Sequence, residues 1–196
     1  GYNIRKLTGE FLPEVEKDMA EGPGNPLNVM SKVASLAYTR FKSGKLPIAL
    51  VSMDNCAENG RKLYEAVISI ASAWAEKGLV EKEFIDYLND TSKVSFPWTM
   101  IDKITPRPSD DIKKMLDDTG MQGMDILRTE KNTFIAPFVN AEGPQYLVVE
   151  DSFPNGRPPL EKTGVIFTDR ETVDRVEKMK VGTCLNPLHT ALAIFG

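Results

Sequence analysis

The feature that most constrains the fold is a short apolar segment followed by an amphipathic helix. Residues 47–53 (Pro-Ile-Ala-Leu-Val-Ser-Met) are almost continuously apolar, which is typical of a strand buried on both faces of a parallel sheet. Residues 61–77 then carry apolar side chains at helical spacing and end before Gly78. A buried strand followed by a covering helix predicts an α/β fold.

Other segments around this unit show weaker signals. Residues 1–26 are rich in glycine, proline and acidic side chains, which predicts a surface loop. Residues 134–139 and 145–150 predict two strands, and Glu142-Gly143-Pro144 between them predicts the turn of a hairpin. Periodicity and capping signals predict helices over residues 28–42, 81–88, 110–118 and 170–180, a last apolar segment opened by Asn186-Pro187, and extended or irregular structure over 94–104.

Composition and charge exclude several classes of protein. The chain has 196 residues, of which 41% are hydrophobic and 27% are charged, so it is expected to form one sizeable core or two small ones. A net charge of −4 argues against nucleic acid as a partner. No run of 18 apolar residues and no signal-peptide pattern is present, so we expect a cytoplasmic protein that does not bind membranes. Its two cysteines, Cys56 and Cys184, are expected to be thiols.

Asn55 is the first candidate site residue. It follows the predicted buried strand, and ligands bind beyond the carboxyl ends of the strands in open parallel sheets. An amide at this point can donate a hydrogen bond to a substrate oxygen. The structural alternative is that Asn55 caps the next helix or shapes the turn, and the sequence alone favours this alternative.

Lys180, Asn186 and His189 form the second candidate group. If Asn186 is an N-cap and Pro187 the first helical residue, His189 lies in the first turn of a helix, where a neutral imidazole is favoured. The three side chains would then converge on one polar pocket. A lysine acts as a general base only when burial or a positive neighbour lowers its pKa. The alternative is that Lys180 is a solvated lysine at a helix end and that Asn186 is only a cap.

Metal and phosphate chemistry have weaker support. Cys56, Cys184 and His189 are residue types that bind zinc, but none stands at a recognised ligand spacing. The chain has no Gly-x-Gly-x-x-Gly and no Walker-type loop. Asp102 is a carboxylate in an otherwise apolar stretch, where it either accepts a substrate hydroxyl or pairs with a neighbouring cation.

Several segments carry recognisable motifs. Residues 52–60 read Ser-Met-Asp-Asn-Cys-Ala-Glu-Asn-Gly, and residues 94–106 read Val-Ser-Phe-Pro-Trp-Thr-Met-Ile-Asp-Lys-Ile-Thr-Pro. With residues 1–3, 149–158 and 171–189, in this order, they resemble the motifs of the long-chain, zinc-independent mannitol dehydrogenase family, which contains polyol dehydrogenases and uronate reductases. The matches extend over nearly the whole chain.

The resemblance implies a fold and a reaction. Residues 1–170 would be the second part of a Rossmann-type dinucleotide-binding domain, and residues 171–196 the start of a helical substrate domain, with the chain truncated at both ends. The implied reaction is hydride transfer between NAD or NADP and a secondary alcohol or ketone of a small sugar acid or polyol. The resemblance implies that no metal ion takes part.

The resemblance also implies roles for the candidate residues. Lys180 would be the general acid and base, and Asn55 and Asn186 would hold the reacting oxygen. His189 would orient that oxygen, and Asp102 would contact substrate hydroxyls. No cofactor-binding residue is assigned.

The chain departs from the family pattern at two places, and its motifs also imply a substrate. The family places five steps between its lysine and asparagine, whereas Lys180 and Asn186 are six apart, and Trp98 stands where the family has asparagine. The wording of residues 53–55 and 183–189 resembles the uronate-reductase branch, which implies fructuronate and mannonate as the substrate pair. The alternatives are a mannitol 2-dehydrogenase, a tagaturonate reductase, or a non-catalytic binding or assembly domain.

Overall fold

The computed structural model describes residues 2–101, 105–141, 143 and 146–196. None of the helices in this part of the chain is long and apolar enough to cross a membrane. The helices are α1 (Pro13–Glu21), α2 (Val29–Lys42), α3 (Asn59–Glu76), α4 (Glu83–Asn89), α5 (Asp110–Asp118), α6 (Arg170–Glu177) and α7 (Asn186–Phe195), with a 3₁₀ turn at Leu160–Thr163 and a π-helix at Lys178–Leu185. The strands are β1 (Ile48–Ala49), β2 (Val94–Ser95), β3 (Thr99–Ile101), β4 (Leu127–Arg128), β5 (Phe134–Ile135), β6 (Leu147–Glu150) and β7 (Ile166–Thr168).

The chain divides into two units. One contains the residues up to 101 together with residues 147–196, and the other contains residues 102–146. The second unit holds α5, β4 and β5. In it, the Ser109 hydroxyl caps α5 as the sequence predicts, and Ser109 N–H donates to the side chain of Asn140 at 3.0 Å. All candidate site residues that the structure describes belong to the first unit.

The strand predicted over residues 47–53 is present as β1, which pairs with β2 in parallel. Ile48 N–H donates to Lys93 O at 2.7 Å, and Leu50 N–H donates to Ser95 O at 2.9 Å. The connection between the two strands contains α3 and α4, as a parallel pair requires. The side chains of β1 are only half-buried, because an open apolar groove between β1 and α2 runs along the strand. The burial of this strand on both faces is therefore not seen.

Helix α3 forms the centre of the apolar core. Ile70 and Trp74, one turn apart, are fully buried, as the predicted stripe requires. Trp74 Nε1 donates to Asp18 O at 2.8 Å, which satisfies the one polar group of the ring. Phe41 of α2 and Phe84 of α4 meet on the same side, with ring centroids 5.6 Å apart. The helices predicted over residues 28–42, 61–77 and 81–88 are thus confirmed as α2, α3 and α4.

The surface loop predicted over residues 1–26 is wrong, because this segment contains α1. Val15 and Met19 lie one turn apart on α1 and are buried. Asp18 is buried between them, and its carboxylate accepts two 2.8 Å hydrogen bonds from backbone N–H groups just before α2. A nine-residue helix with two buried apolar residues has too little periodicity to be recognised from sequence.

The hairpin predicted between residues 134–139 and 145–150 is wrong in its pairing. β5 pairs with β4, whereas β6 pairs with β3 and β7. The turn that closes β4 and β5 has a 2.8 Å hydrogen bond from Thr129 N–H to Thr133 O, and Asn132 adopts a left-handed φ of 58°. β4 has two exposed residues and no alternating pattern, so the sequence gives little sign of the shorter hairpin.

The second sheet of the first unit is built around β6. β3 runs antiparallel to β6, and β7 runs parallel to it. Helix α6 packs against β3 and β6 and buries Val173 almost completely. At the start of α6, the Arg170 guanidinium lies 3.1 Å from the Glu150 carboxylate, which also accepts a hydrogen bond from Trp98 N–H at 3.0 Å. These contacts fix the first turn of α6 to the sheet.

Gly60, in the first turn of α3, packs directly against the chain between β2 and β3. A Cβ atom at this position would lie 2.5 Å from Trp98 Cδ1, 2.9 Å from Pro97 O, and closer still to Phe96 O. Two of these three neighbours are backbone atoms that side-chain rotation cannot move. Only glycine allows α3 to approach the sheet this closely.

Replacing Gly60 by alanine should therefore destabilise the fold. We expect Gly60→Ala to lower the free energy of unfolding by roughly 1–3 kcal/mol, because the overpacked methyl group must displace backbone. Gly24→Ala is the matched control, since a Cβ there meets no atom within 4 Å, and its change should stay within about 0.5 kcal/mol. Urea unfolding of both variants measures the difference, and equal midpoints would contradict the packing described here.

Candidate functional site

Asn55 lies at the apex of a tight turn just beyond β1. The turn is closed by a 2.9 Å hydrogen bond from Cys56 N–H to Asp54 O, which is the two-residue span of a three-residue turn. Asn55 is exposed. It stands four residues before α3, so it does not cap that helix, and an exposed amide at a turn apex is available to a ligand. This geometry is compatible with a role of Asn55 in binding the substrate oxygen, and that role stays a prediction.

Asn59 is a buried polar residue that sequence reasoning missed. Its side chain is 1% exposed and donates to Asp54 O at 2.9 Å and to Thr99 O at 3.0 Å. Its Oδ1 accepts Thr99 N–H at 3.0 Å. The one signal in the sequence is its place in the motif over residues 52–60. The side chain joins the turn after β1 to the start of β3.

An open cleft of about 600 Å³ lies at the carboxyl end of β1. Tyr2 lies along this cleft, and its hydroxyl is hydrogen-bonded to the Ser52 hydroxyl. Burial raises the pKa of Tyr2. Asp54 and Lys62 also line the cleft, so polar groups of both signs face the space beyond the strand.

Cys56 and Cys184 are both free thiols. Burial raises the pKa of Cys56, which favours the protonated thiol. Cys184 is exposed. Among the residues that the structure describes, no group of three or more His, Cys, Asp or Glu side chains is placed to hold a metal ion. The metal-free mechanism implied by the resemblance stays a prediction.

Lys180, Asn186 and His189 lie on one continuous helical segment and are all exposed. The helix predicted over residues 170–180 does not stop there, because the π-helix follows α6 directly and continues into α7. Asn186 has helical dihedral angles (φ −62°, ψ −44°), so the prediction that it caps a new helix is wrong. Pro187 lacks an N–H and needs room for its ring, and the wider turn before it provides this room. His189 nevertheless lies in the first turn of α7, as expected.

The π-helix explains the departure in spacing between Lys180 and Asn186. A π-turn closes by i→i+5 hydrogen bonds and takes up about one residue more than an α-turn. Six steps through the π-helix therefore turn the chain by nearly the same angle as five steps through an α-helix. The Thr183 hydroxyl supports the wide turn by donating to Lys178 O at 2.9 Å, five residues earlier. The additional residue thus leaves the mutual orientation of Lys180 and Asn186 close to that of the family spacing.

Lys178, two residues before Lys180, has a carboxylate partner on its own helix. The Asp174 carboxylate, 2.6 Å from Lys178 Nζ, raises the pKa of Lys178, and Glu58 acts in the same direction. Asp102 directly follows β3 but lies outside the described residues.

Trp98, the second departure from the family pattern, lines a separate cavity of about 380 Å³. Tyr64, Asn89 and Arg170 also line this cavity. The Arg170 guanidinium lies 5.2 Å from the centre of a Trp98 ring, within the range of a cation–π contact. In this structure the tryptophan therefore contributes to anchoring the start of α6.

Comparison with known proteins points to one family. The family model described as the mannitol dehydrogenase Rossmann domain matches residues 16–162. The D-mannonate oxidoreductase of Thermotoga maritima is 59% identical over 198 residues, and the polyol:NADP oxidoreductase of Gluconobacter oxydans is 31% identical over 199 residues; each match covers 100% of this chain and 36% of the relative. The structure of Pseudomonas fluorescens mannitol 2-dehydrogenase in ternary complex with NAD and D-mannitol is 32% identical, with a TM-score of 0.67, and the match covers 92% of this chain and 33% of that one. This chain thus spans about a third of the length of the relatives it matches.

Proposed function

Because this chain belongs to the mannitol dehydrogenase family, we propose that it is part of a nicotinamide-dependent oxidoreductase acting on a small sugar acid. The reaction is hydride transfer between the cofactor, NAD or NADP, and the secondary alcohol of mannonate or the ketone of fructuronate. The proposed location is the cytoplasm. The fold prediction, the second part of a Rossmann-type α/β domain, is confirmed by the family match.

One observation carries the choice of substrate. Over the whole chain, the identity to the D-mannonate oxidoreductase of Thermotoga maritima is 59%, whereas the mannitol 2-dehydrogenases of several fungi are 30–33% identical over a similar length. This difference favours a sugar acid over mannitol. It also agrees with the resemblance of the sequences of residues 53–55 and 183–189 to the uronate-reductase branch.

The chain's own residues supply proton transfer and oxyanion contacts in this proposal. Lys180 takes the proton of the substrate hydroxyl as the alcohol is oxidised and returns a proton to the oxygen when the ketone is reduced. Asn55 and Asn186 donate amide hydrogen bonds to that oxygen and stabilise the negative charge that develops on it. His189 orients the oxygen, and Asp102 accepts a hydrogen bond from another substrate hydroxyl.

The described residues fit one end of the cofactor. The cleft at the carboxyl end of β1 lies where open α/β sheets bind ligands. Tyr2, Asp54 and Lys62, which line it, would hold the nicotinamide end. The chain has no glycine-rich strand-to-helix turn that would hold the pyrophosphate. When bound, the nicotinamide donates or accepts the hydride.

A chimera tests this function. In this chimera, residues 1–196 of this chain replace the matching segment of the Thermotoga maritima relative, which supplies the remaining polypeptide. We expect it to oxidise NADH or NADPH with fructuronate much faster than with fructose, as followed by nicotinamide absorbance. The unmodified relative is the control for folding and assay conditions.

Other outcomes would separate the alternatives. Faster turnover of fructose than of fructuronate would indicate a mannitol 2-dehydrogenase. Faster turnover of tagaturonate than of fructuronate would indicate a tagaturonate reductase. A folded chimera inactive on all three would overturn the proposed function and favour a binding or assembly role. The 196-residue chain alone is expected to be inactive, because its sequence has no Gly-x-Gly-x-x-Gly motif to bind the pyrophosphate.

The proposed role of Lys180 is tested in the chimera by Lys180→Ala. Loss of the acid–base group should lower turnover by about 100- to 10,000-fold. The melting temperature and cofactor affinity should change little, because the side chain is exposed. Lys178→Ala is the matched control, since it removes an exposed lysine two residues away, and its turnover should stay within a few-fold. If Lys180→Ala keeps parental turnover, Lys180 is only a solvated lysine.

The spacing argument is tested by deleting Gly182. A five-step α-helix should then present Lys180 and Asn186 at nearly the same mutual angle, so the folded chimera should retain most of its turnover. Inserting one glycine after Gly182 instead adds a seventh step, which rotates Lys180 relative to Asn186 by roughly 80–100° if the π-helix persists. This variant should lose activity to the level of Lys180→Ala. The opposite ranking of deletion and insertion, with equal circular dichroism, would show that the π-helix has no such role.

A further inference from the structure

We propose that Asn59 is a positioning residue for the reaction: its buried amide fixes the turn that presents Asn55 against the start of β3. This role rests on the function proposed above and adds a residue to it. Asn59 is not expected to touch substrate or cofactor. It acts through Asp54, on the β1 side of Asn55, and through Thr99.

The hydrogen bonds of Asn59 hold three separate segments together. Asp54 O accepts hydrogen bonds from both Cys56 N–H and Asn59 Nδ2, each at 2.9 Å. The carbonyl that closes the turn is therefore also the one that binds the Asn59 side chain. Thr99 Oγ1 accepts from Asn59 Nδ2 at 2.9 Å and donates to Ser52 O at 2.6 Å. The chain on the β1 side of Asn55 is thereby bonded to β3 at both residues 52 and 54.

Burial makes this network rigid. Asn59, Thr99 and Ser52 are each less than 5% exposed. Water therefore does not replace a broken bond, and a donor or acceptor left unpaired there carries its full desolvation cost. The amide is needed because it both donates to carbonyl oxygens and accepts from a backbone N–H. A carboxylate of the same shape would face Asp54 O and Thr99 O with repulsion instead of hydrogen bonds.

The same contacts connect the candidate groups through one strand. Asn59 binds the first residue of β3, and α6, which leads to the π-helix of Lys180, packs on β3. A shift of the Asn55 turn relative to β3 is therefore a shift relative to α6. A misplacement of about 1 Å in an active site can cost about 100-fold in rate.

The experiment compares isosteric substitutions in the chimera. Asn59→Asp and Thr99→Val should lower kcat per folded molecule, by up to about 100-fold for Asn59→Asp. Cofactor affinity and the KM for fructuronate should change less than kcat. Thr99→Ser keeps the hydroxyl and should restore most of the kcat that Thr99→Val loses.

Ser95→Ala is the matched structural control. The Ser95 hydroxyl is equally buried and donates to Ser152 O at 2.6 Å, but it does not bond to the turn of Asn55. The variant Ser95→Ala should lower the melting temperature about as much as Thr99→Val does and should leave kcat unchanged. If Thr99→Val and Asn59→Asp lose stability but keep the parental kcat, Asn59 is purely structural and the inference is overturned. An inactive unmodified chimera would instead mean that the proposed function has failed.

Discussion

The close approach of α3 to the chain between β2 and β3 is the constraint on which the first unit depends. Gly60 has no side chain because Phe96, Pro97 and Trp98 occupy the space where one would stand. The side-chain amide of the neighbouring Asn59 forms hydrogen bonds with backbone groups that the same close approach buries away from water. A glycine for contact and an asparagine for polar pairing thus occur as neighbours for one physical reason: two backbones that approach this closely need both.

Much of the fold could be predicted from local sequence patterns, and what could not depended on distant partners. The stripe of α3 and the Ser109 cap of α5 are local signals, and both are confirmed. Helix α1 is held by Trp74, 56 residues from the Asp18 carbonyl that it binds, so its own sequence looks like a loop. The strand β6 was predicted, but its partner β3 was not, because strand pairing depends on packing across the sheet and not on the sequence of either strand.

The candidate site shows the same limit. The motifs drew attention to Asn55 and Lys180, whose chemistry is visible in the residue type, and passed over Asn59, whose contribution exists only through its neighbours. The six-step spacing from Lys180 to Asn186 conflicts with the family pattern if every step is α-helical. The conflict disappears when the helix widens, as it does over Lys178–Leu185. Residue counting assumes one helical geometry, and a single additional residue can be absorbed by changing that geometry.

The two halves of the candidate site are held by different means, and this has a consequence for how it would work. The Asn55 turn is bonded to β3 through buried groups, so the backbone that carries the proposed oxyanion donor is fixed, and a preorganised donor contributes most. Lys180 and His189 are exposed and lie on one helical segment, which is bonded and packed to the sheet at Val173 and Arg170. Segments with few buried contacts open locally at low free energy. If Lys180 transfers the proton, it does so from the more exposed half of the candidate site, whereas the turn that carries Asn55 is held by buried hydrogen bonds.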